Sequence, residues 1–250
     1  MLISHEVPKS LLNESLDFNT YDYCLAHLLR DTESLYYKFY TTPRNRILYL
    51  DNSAFELGAS IDMDEMQNAI RLVNPTHYFI PDVVNSMKES LEHFVKWMSN
   101  YSHTINPTIK RIQALQGNSL AEVLEHYHNI QKDVDMVGVS YDYSFFKGSR
   151  ADGRHEVVAT LIDKYPLIKI HLLGCQSPVE FQNYEYPWNV ISVDTSHPVM
   201  SAFDGSDYER NINYKSPRKL ADNLSWIPTD NQYKLMMKNI TFFRKLINHV

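Results

Sequence analysis

Residues 46–82 read RILYLDNSAFELGASIDMDEMQNAIRLVNPTHYFIPD. Arg46 to Leu50 is a short apolar run with strand-forming residues, and His77 to Ile80 is another. Between them, Met63 to Val73 carries apolar residues at helical spacing, and Asp62 stands ahead of it as an N-cap. Strand, helix, strand within so few residues is a βαβ unit, whose crossover makes the two strands parallel.

Outward from this unit the alternation continues. Strand-like runs are expected at Leu2 to Ser4, Ile109 to Leu115, Met136 to Ser140, Ile168 to Leu173 and Val190 to Val193. Helical patterns are expected over Asp22 to Tyr40, Ser86 to Tyr101, Leu120 to Gln131 and Glu156 to Lys164, with a short one near Pro178 to Gln182. Ser119 with Glu122 reads as a capping box, and Ser177-Pro178 as a helix start with proline in first position. Seven strands are visible and an eighth is placed at Leu224 to Ile227, ahead of Pro228. Repeated βα units in a chain of 250 residues predict an α/β fold, a single-domain (β/α)8 TIM-like barrel over residues 1–250. A long functional connection is expected from about 197 to 223, and an amphipathic closing helix from about 231 to 249.

Composition bounds the function classes. The chain is 44% hydrophobic and 22% charged, enough to bury one sizeable core. No apolar run reaches the length of a membrane span, and the start MLISHEVPKS has no secretion-signal pattern, so no membrane partner and a soluble, cytoplasmic protein are expected. Two cysteines, Cys24 and Cys175, fit a reducing compartment and cannot make a Cys-rich zinc site. The net charge of −6 does not advertise a nucleic-acid binder, although local basic patches are compatible with it. Most of the 17 tyrosines are expected at the rim of the core with the hydroxyl in water.

Chemistry in a (β/α) barrel sits where strands end. Those positions carry Ser4-His5, Asp51-Asn52-Ser53, Pro81-Asp82, Gln116-Gly117, Ser140-Tyr141-Asp142, Gly174-Cys175 and Asp194-Thr195-Ser196. One Asp at a strand end is most simply a turn or cap residue. Asp51, Asp82 and Asp194 together, with the amide of Gln116, form a set that suits recognition of a guanine-like edge, whose N1–H and N2–H2 donate and whose O6 accepts. The same carboxylates with His5, His171 or His197 would also suit a metal.

In order and spacing these strand ends resemble the tRNA-guanine transglycosylase superfamily, which acts on queuine and archaeosine precursors. The likeness is greatest to its compact phage-type branch, which inserts 7-deazaguanines into DNA. Where the family has Asp-Ser-Gly-Gly-Phe-Gln, this chain has Asp51-Asn52-Ser53-Ala54-Phe55-Glu56. Asp82 in FIPDVV, Gln116-Gly117 in ALQGN, Gly138 in VGVS, Gly174 in HLLG and Asp194 in VDTSHP follow in the family's order, over roughly residues 46 to 200. Departures are Ser53-Ala54 for Gly-Gly, Glu56 for Gln, and Val199-Met200 for Thr-Arg. The zinc subdomain of the tRNA enzymes is absent.

The resemblance implies a glycosyltransferase that exchanges guanine in nucleic acid, DNA rather than tRNA, for a 7-deazaguanine such as 7-cyano-7-deazaguanine. Asp194 would be the nucleophile and Asp51 the general base. Asp82, Gln116, Gly117, Gly138 and Gly174 would bind the base, and Phe55 would stack on it. Lys147, Arg150, Arg154, Lys215, Arg218 and Lys219 are candidates for phosphate contacts. No cofactor and no metal are implied, a homodimer is compatible, and a phage-encoded enzyme would work in the host cytoplasm. A metal-dependent hydrolase on the same barrel and a non-catalytic nucleic-acid-binding subunit remain alternatives, as does a different target base such as a modified pyrimidine.

Overall fold

Short runs of Leu, Ile, Val and Tyr become strands because β-branched and aromatic side chains fit a pleated, buried surface. They form β1 (Leu2–His5), β2 (Asp22–Leu25), β3 (Leu48–Asp51), β4 (His77–Phe79), β5 (Lys110–Ala114), β6 (Met136–Ser140), β7 (Ile170–Leu173) and β8 (Val190–Thr195). A computed structural model describes residues 1–142, 150–175 and 178–248, apart from the side chains at 150–152, 183 and 248. The fold is α/β, of the (β/α)8 barrel class, with eight parallel strands in the order β1-β8-β7-β6-β5-β4-β3-β2 and helices between them. The helices are α1 (Leu12–Phe18), α2 (Leu35–Thr41), α3 (Ala54–Leu57), α4 (Met63–Val73), α5 (Met87–Asn100), α6 (Leu120–Ile130), α7 (Arg150–Lys164), α8 (His197–Phe203) and α9 (Asp230–Asn248). By its internal contacts the chain divides into two compact units, Tyr21–Gly138 and Met1–Thr20 with Val139–Val250.

In the unit Tyr21–Gly138 the expected caps are in place. The Asp62 carboxylate accepts the Asp64 N–H at 2.8 Å, and α4 buries Met63, Met66, Ala69, Ile70 and Val73 before Asn74 ends it in a left-handed conformation. Ser119 accepts the Glu122 N–H at 3.2 Å, while the Glu122 carboxylate reaches back to the N–H of Asn118 rather than that of Ser119. Trp97 of α5 is fully buried, donates to the Tyr78 hydroxyl at 3.2 Å and stacks on Tyr101.

Two expectations are corrected here. The helix foreseen over Asp22 to Tyr40 begins as a strand: Asp22–Leu25 pairs in parallel with Leu48–Asp51, and α2 starts only at Leu35, where Ser34 accepts the Tyr37 N–H. Arg46 bonds both oxygens of the buried Asp22 at 3.2 Å and so ties the start of β2 to the chain entering β3. Leu224 to Ile227, placed as the eighth strand, forms none; Leu224 accepts the Lys9 N–H at 2.8 Å and Ile227 lies exposed. Pro228 cannot donate to a ladder, and the eight strands of the sheet include β2 in place of this segment.

In the other unit, Met1–Thr20 with Val139–Val250, β1 pairs with β8 and β8 with β7. The segment from 197 to 223 is not all connection, since α8 begins directly after β8, with Pro198 at its start. His5 and Phe181 each meet Phe243 of α9 edge-on. The backbone of β1 is completed by side chains. Asn19 accepts the His5 N–H at 2.7 Å and donates to the His5 carbonyl at 3.0 Å, and Thr20 does the same for Ile3 at 2.6 and 3.0 Å.

Eight tyrosines among the described residues are buried, against the expectation of a wet rim. Several of their hydroxyls are used inside: Tyr36 accepts the Leu25 N–H at 2.7 Å, and Tyr78 and Tyr208 bond Trp97 and His197. No helix among the described residues is long and apolar enough to cross a membrane.

Asn19→Ala would leave a buried N–H and a buried carbonyl of His5 without their partner, so it should destabilise the fold by about 2–4 kcal/mol. Urea unfolding checks this, with an unchanged midpoint contradicting it.

Candidate active site

Asp51 is the last residue of β3, and β2 runs beside it with Leu25 opposite Asp51 and Tyr23 opposite Tyr49. Alternation places Tyr23, Tyr49 and Asp51 on one face, and the Tyr23 hydroxyl donates to Asp51 Oδ1 at 3.0 Å. The Ser53 N–H donates to Oδ2 at 2.8 Å. Ser53 achieves this in a left-handed conformation, φ 63°, fully buried, with its own hydroxyl accepting the His27 N–H at 3.2 Å. A serine there costs on the order of 1 kcal/mol in backbone strain. The position is the first glycine of the motif that Asp51 to Glu56 resembles.

Asp82 follows β4 and is almost wholly buried. Its Oδ1 accepts from Asn52 Nδ2 at 2.7 Å and its Oδ2 from Gln116 Nε2 at 2.5 Å. Asn52 spends its other N–H on the Ile80 carbonyl and its oxygen on the Ala54 N–H, so it fixes Asp82 and the start of α3 together. The Gln116 oxygen accepts the Asn85 N–H, and its backbone N–H points at His126 Nδ1, 3.0 Å away. Burial lowers the His126 pKa to about 4, so the ring is neutral at neutral pH, and the same Nδ1 also lies 3.2 Å from the Gln116 carbonyl. Burial also raises Asp82 to about 6, against the two amide bonds that hold it down.

Gly117 is required by space: a Cβ would lie 2.9 Å from the Glu122 side chain. Gly138 is a buried residue of β6 opposite Ala114, and its carbonyl accepts the Leu115 N–H. Phe55 of α3 is 52% exposed and therefore not a core plug.

In the other unit, Asp194 stands near the end of β8, two residues after Ser192 and so on the same face. The fully buried His171 of β7 joins them, with Nδ1 2.8 Å from Ser192 Oγ and Nε2 2.9 Å from Asp194 Oδ1. The Gly174 N–H adds longer bonds to both carboxylate oxygens, at 3.2 and 3.3 Å. Gly174 has φ +65°, and a Cβ on it would come within 3.0 Å of the Tyr141 ring, so glycine is needed twice over. Arg154 holds this turn from behind through the carbonyls of Leu173 and Gly174, both at 2.9 Å, and is itself paired with the buried Glu180.

The chain matches no protein-family model and no curated protein.

Arg154 is thus a correction. It was expected at a phosphate, but it is fully buried because α7 begins at Arg150, before the foreseen start at Glu156, and turns Arg154 inward onto Glu180. Lys147 and the side chain of Arg150 lie outside the described residues. Lys215, Arg218 and Lys219 are exposed; Lys215 sits 5.2 Å over the Tyr141 ring and Arg218 bonds Asp204.

The three histidines weighed as metal ligands have other occupations. His5 is buried against Phe18 and Phe243, which with nearby Arg244 lowers its pKa to about 3; His197 bonds Tyr208; His171 bonds Ser192 and Asp194. Among the described residues no three His, Cys, Asp or Glu side chains gather as a metal site. Tyr23, His126 and the role of Asn52 were missed in the sequence. Tyr23 lies in the overlooked strand, and only a strand assignment there would have drawn attention to it.

The raised value of Asp82 has a definite sign. The unfolded chain gives up this proton first, so below about pH 4 Asp82 costs nothing. From there to about pH 6 its ionisation opposes folding, by on the order of 3 kcal/mol in all. A carboxyl carbon resonance missing from Asp82→Asn should titrate near pH 6 in the folded protein. A midpoint near 4 would mean that water reaches the group.

Proposed function

We propose that the protein is a base-exchange transglycosylase that replaces guanine in a nucleic acid, DNA in preference to tRNA, with a 7-deazaguanine. The observation that carries this reading is the treatment of Asp194, a carboxylate at a strand end gripped by a buried imidazole and a backbone N–H on a glycine turn. A carboxylate that must attack a sugar carbon needs its orientation fixed in advance.

In the proposed first step Asp194 forms a bond to C1′ of the target nucleoside. The C1′–N9 bond breaks and its electron pair leaves with guanine, through an oxocarbenium-like transition state. Asp51 enters the cycle as the protonated carboxyl, gives that proton to the departing N9 and becomes the carboxylate that takes one back from N9 of the incoming base, so acid and base roles alternate on one group. Tyr23 and Ser53 set the direction of that carboxylate. Ionised Asp82 accepts from the N1–H and N2–H2 of the base, and the second N–H of the Gln116 amide, beyond the one on Asp82, donates to O6. Exposed Phe55 offers a stacking face, and the exposed Lys215, Arg218 and Lys219 offer charge to the phosphates. The target nucleotide must be flipped out or single-stranded to be reached.

The reading requires the Asp51–Asp82 group and Asp194 to act on one nucleoside, and exchange tests that requirement. Purified protein is incubated with guanine-labelled duplex DNA, and separately with tRNA, in the presence of 7-cyano-7-deazaguanine; the polymer is then digested and its nucleosides weighed by mass spectrometry. Incorporation of the deazaguanine with release of guanine is expected for DNA. It should be abolished in Asp194→Ala and reduced roughly 10²–10⁴-fold in Asp51→Asn. Exchange undiminished in Asp194→Ala, or none in either polymer, refutes the proposal.

A further inference from the structure

His171 and Ser192 have no part in the residue set that suggested the function, yet they form a buried line ending on Asp194. Ser192 and His171 are both fully buried, and the line runs Ser192 Oγ, His171 Nδ1, His171 Nε2, Asp194 Oδ1 with spans of 2.8 and 2.9 Å. Buried as it is, Ser192 is not a nucleophile; the carboxylate is the one end of the line with any exposure, 8% of its side chain against none for His171. A carboxylate offers only acceptors, so Nε2 carries the hydrogen. In the neutral ring Nδ1 then accepts from the Ser192 hydroxyl, which fixes that tautomer.

The two oxygens of Asp194 are therefore unequal. Oδ1 receives the imidazole N–H at 2.9 Å and the Gly174 N–H at 3.2 Å, whereas among the described residues Oδ2 receives only the longer side of that backbone bond, at 3.3 Å. We infer that His171, held by Ser192, is a positioning residue that reserves Oδ2 of Asp194 as the attacking oxygen and sets how readily the covalent sugar–enzyme ester reverts. This inference rests on the reading of Asp194 as the nucleophile.

The chemistry follows from the difference between a carboxylate and an ester. When Oδ2 bonds to C1′, N9 leaves with its electron pair and Oδ1 becomes the ester carbonyl oxygen. The His171 hydrogen stays on Nε2 throughout. A hydrogen bond to a charged carboxylate is stronger than one to a neutral carbonyl. His171 thus favours the free carboxylate over the ester, restrains the first step and assists the second, in which C1′–Oδ2 breaks and its pair returns to Asp194. Removing the donor should leave the enzyme stalled on the covalent intermediate.

The test uses the full chain with a guanine-containing oligonucleotide and no acceptor base. The covalent protein–oligonucleotide adduct is measured on a denaturing gel as guanine is added back. His171→Met should require roughly tenfold more guanine than the wild type to reverse half of the adduct. His171→Gln, which keeps an N–H near the Nε2 position, should restore the wild-type value. Ser192→Ala, which keeps the imidazole and releases its tautomer, should shift the balance in the same direction as His171→Met by a smaller factor, and serves if the methionine variant does not fold. Oligonucleotide binding should be equal in Asp194→Asn and in the double variant that adds His171→Met, since the effect lies in the ester balance and not in docking. Wild-type exchange with an unchanged guanine requirement in the histidine and serine variants overturns the inference alone. No adduct and no exchange in the wild type overturns the proposed function and this inference with it.

Discussion

A carboxylate removed from water must be met by donors, and at the end of a strand the donors available are those that strand pairing and the following turn aim at it. Asp51 is met by a tyrosine hydroxyl from the neighbouring strand and by the N–H two residues on. Asp82 is met by two side-chain amides, and Asp194 by an imidazole and a backbone N–H. The kinds of donor differ, and so do the consequences. Two neutral amides do not offset the burial of Asp82, whose pKa rises to about 6, so this group is soft toward protons in a range where ordinary carboxylates are not.

The meeting of His171 with Asp194 depends on an irregularity in pairing. Ile170 lies opposite Val190, but His171 lies opposite Ser192, so the register shifts past Ile191. Without the shift His171 would stand opposite Ile191 and share its face, away from Ser192 and Asp194, because one residue of slip reverses every side chain. The buried pair of Arg154 and Glu180 then secures the end of β7, holding the carbonyls of Leu173 and Gly174 while the Gly174 N–H faces the carboxylate. A buried ion pair adds little net stability by itself, but loss of one partner costs about 3–5 kcal/mol, which makes it a rigid support.

Much of this was legible in the sequence, for physical reasons that can be named. The strands and helices of residues 46–140 announce themselves through two clear periods and through Asp62, Ser86 and Ser119 at helix starts. β2 did not, because Asp22–Leu25 runs without a glycine or proline into helical residues, and four strand residues are too few to show alternation. With it went Tyr23. The Asp at each strand end could be read directly, whereas their partners come from elements distant in the chain: His171 is 23 residues from Asp194, and Gln116 is 34 from Asp82. No local pattern encodes a register shift, so His171 read as a core residue or a ligand. Arg154 read as a surface cation because Arg150 to Arg154 contains Asp and Gly, although it is helix that turns it inward.

Ser53 shows how these strand ends differ from the rest of the fold. Left-handed backbone at a buried, non-glycine residue is strain, and a glycine would relieve it. Serine keeps the hydroxyl that caps the His27 N–H, so the strained residue ties the turn after β3 to the segment after β2 while its own N–H is turned onto Asp51. Asp82, carrying an ionisation that opposes folding at neutral pH, is a second position where a more stable residue is easily imagined. Gly174, left-handed against the Tyr141 ring, is a third place where conformation is dictated by what the N–H must reach. Local preference yields at each of these positions to the direction of a carboxylate. Stability elsewhere in the chain, in cores such as the one around Trp97 and Tyr78, is what allows that concession.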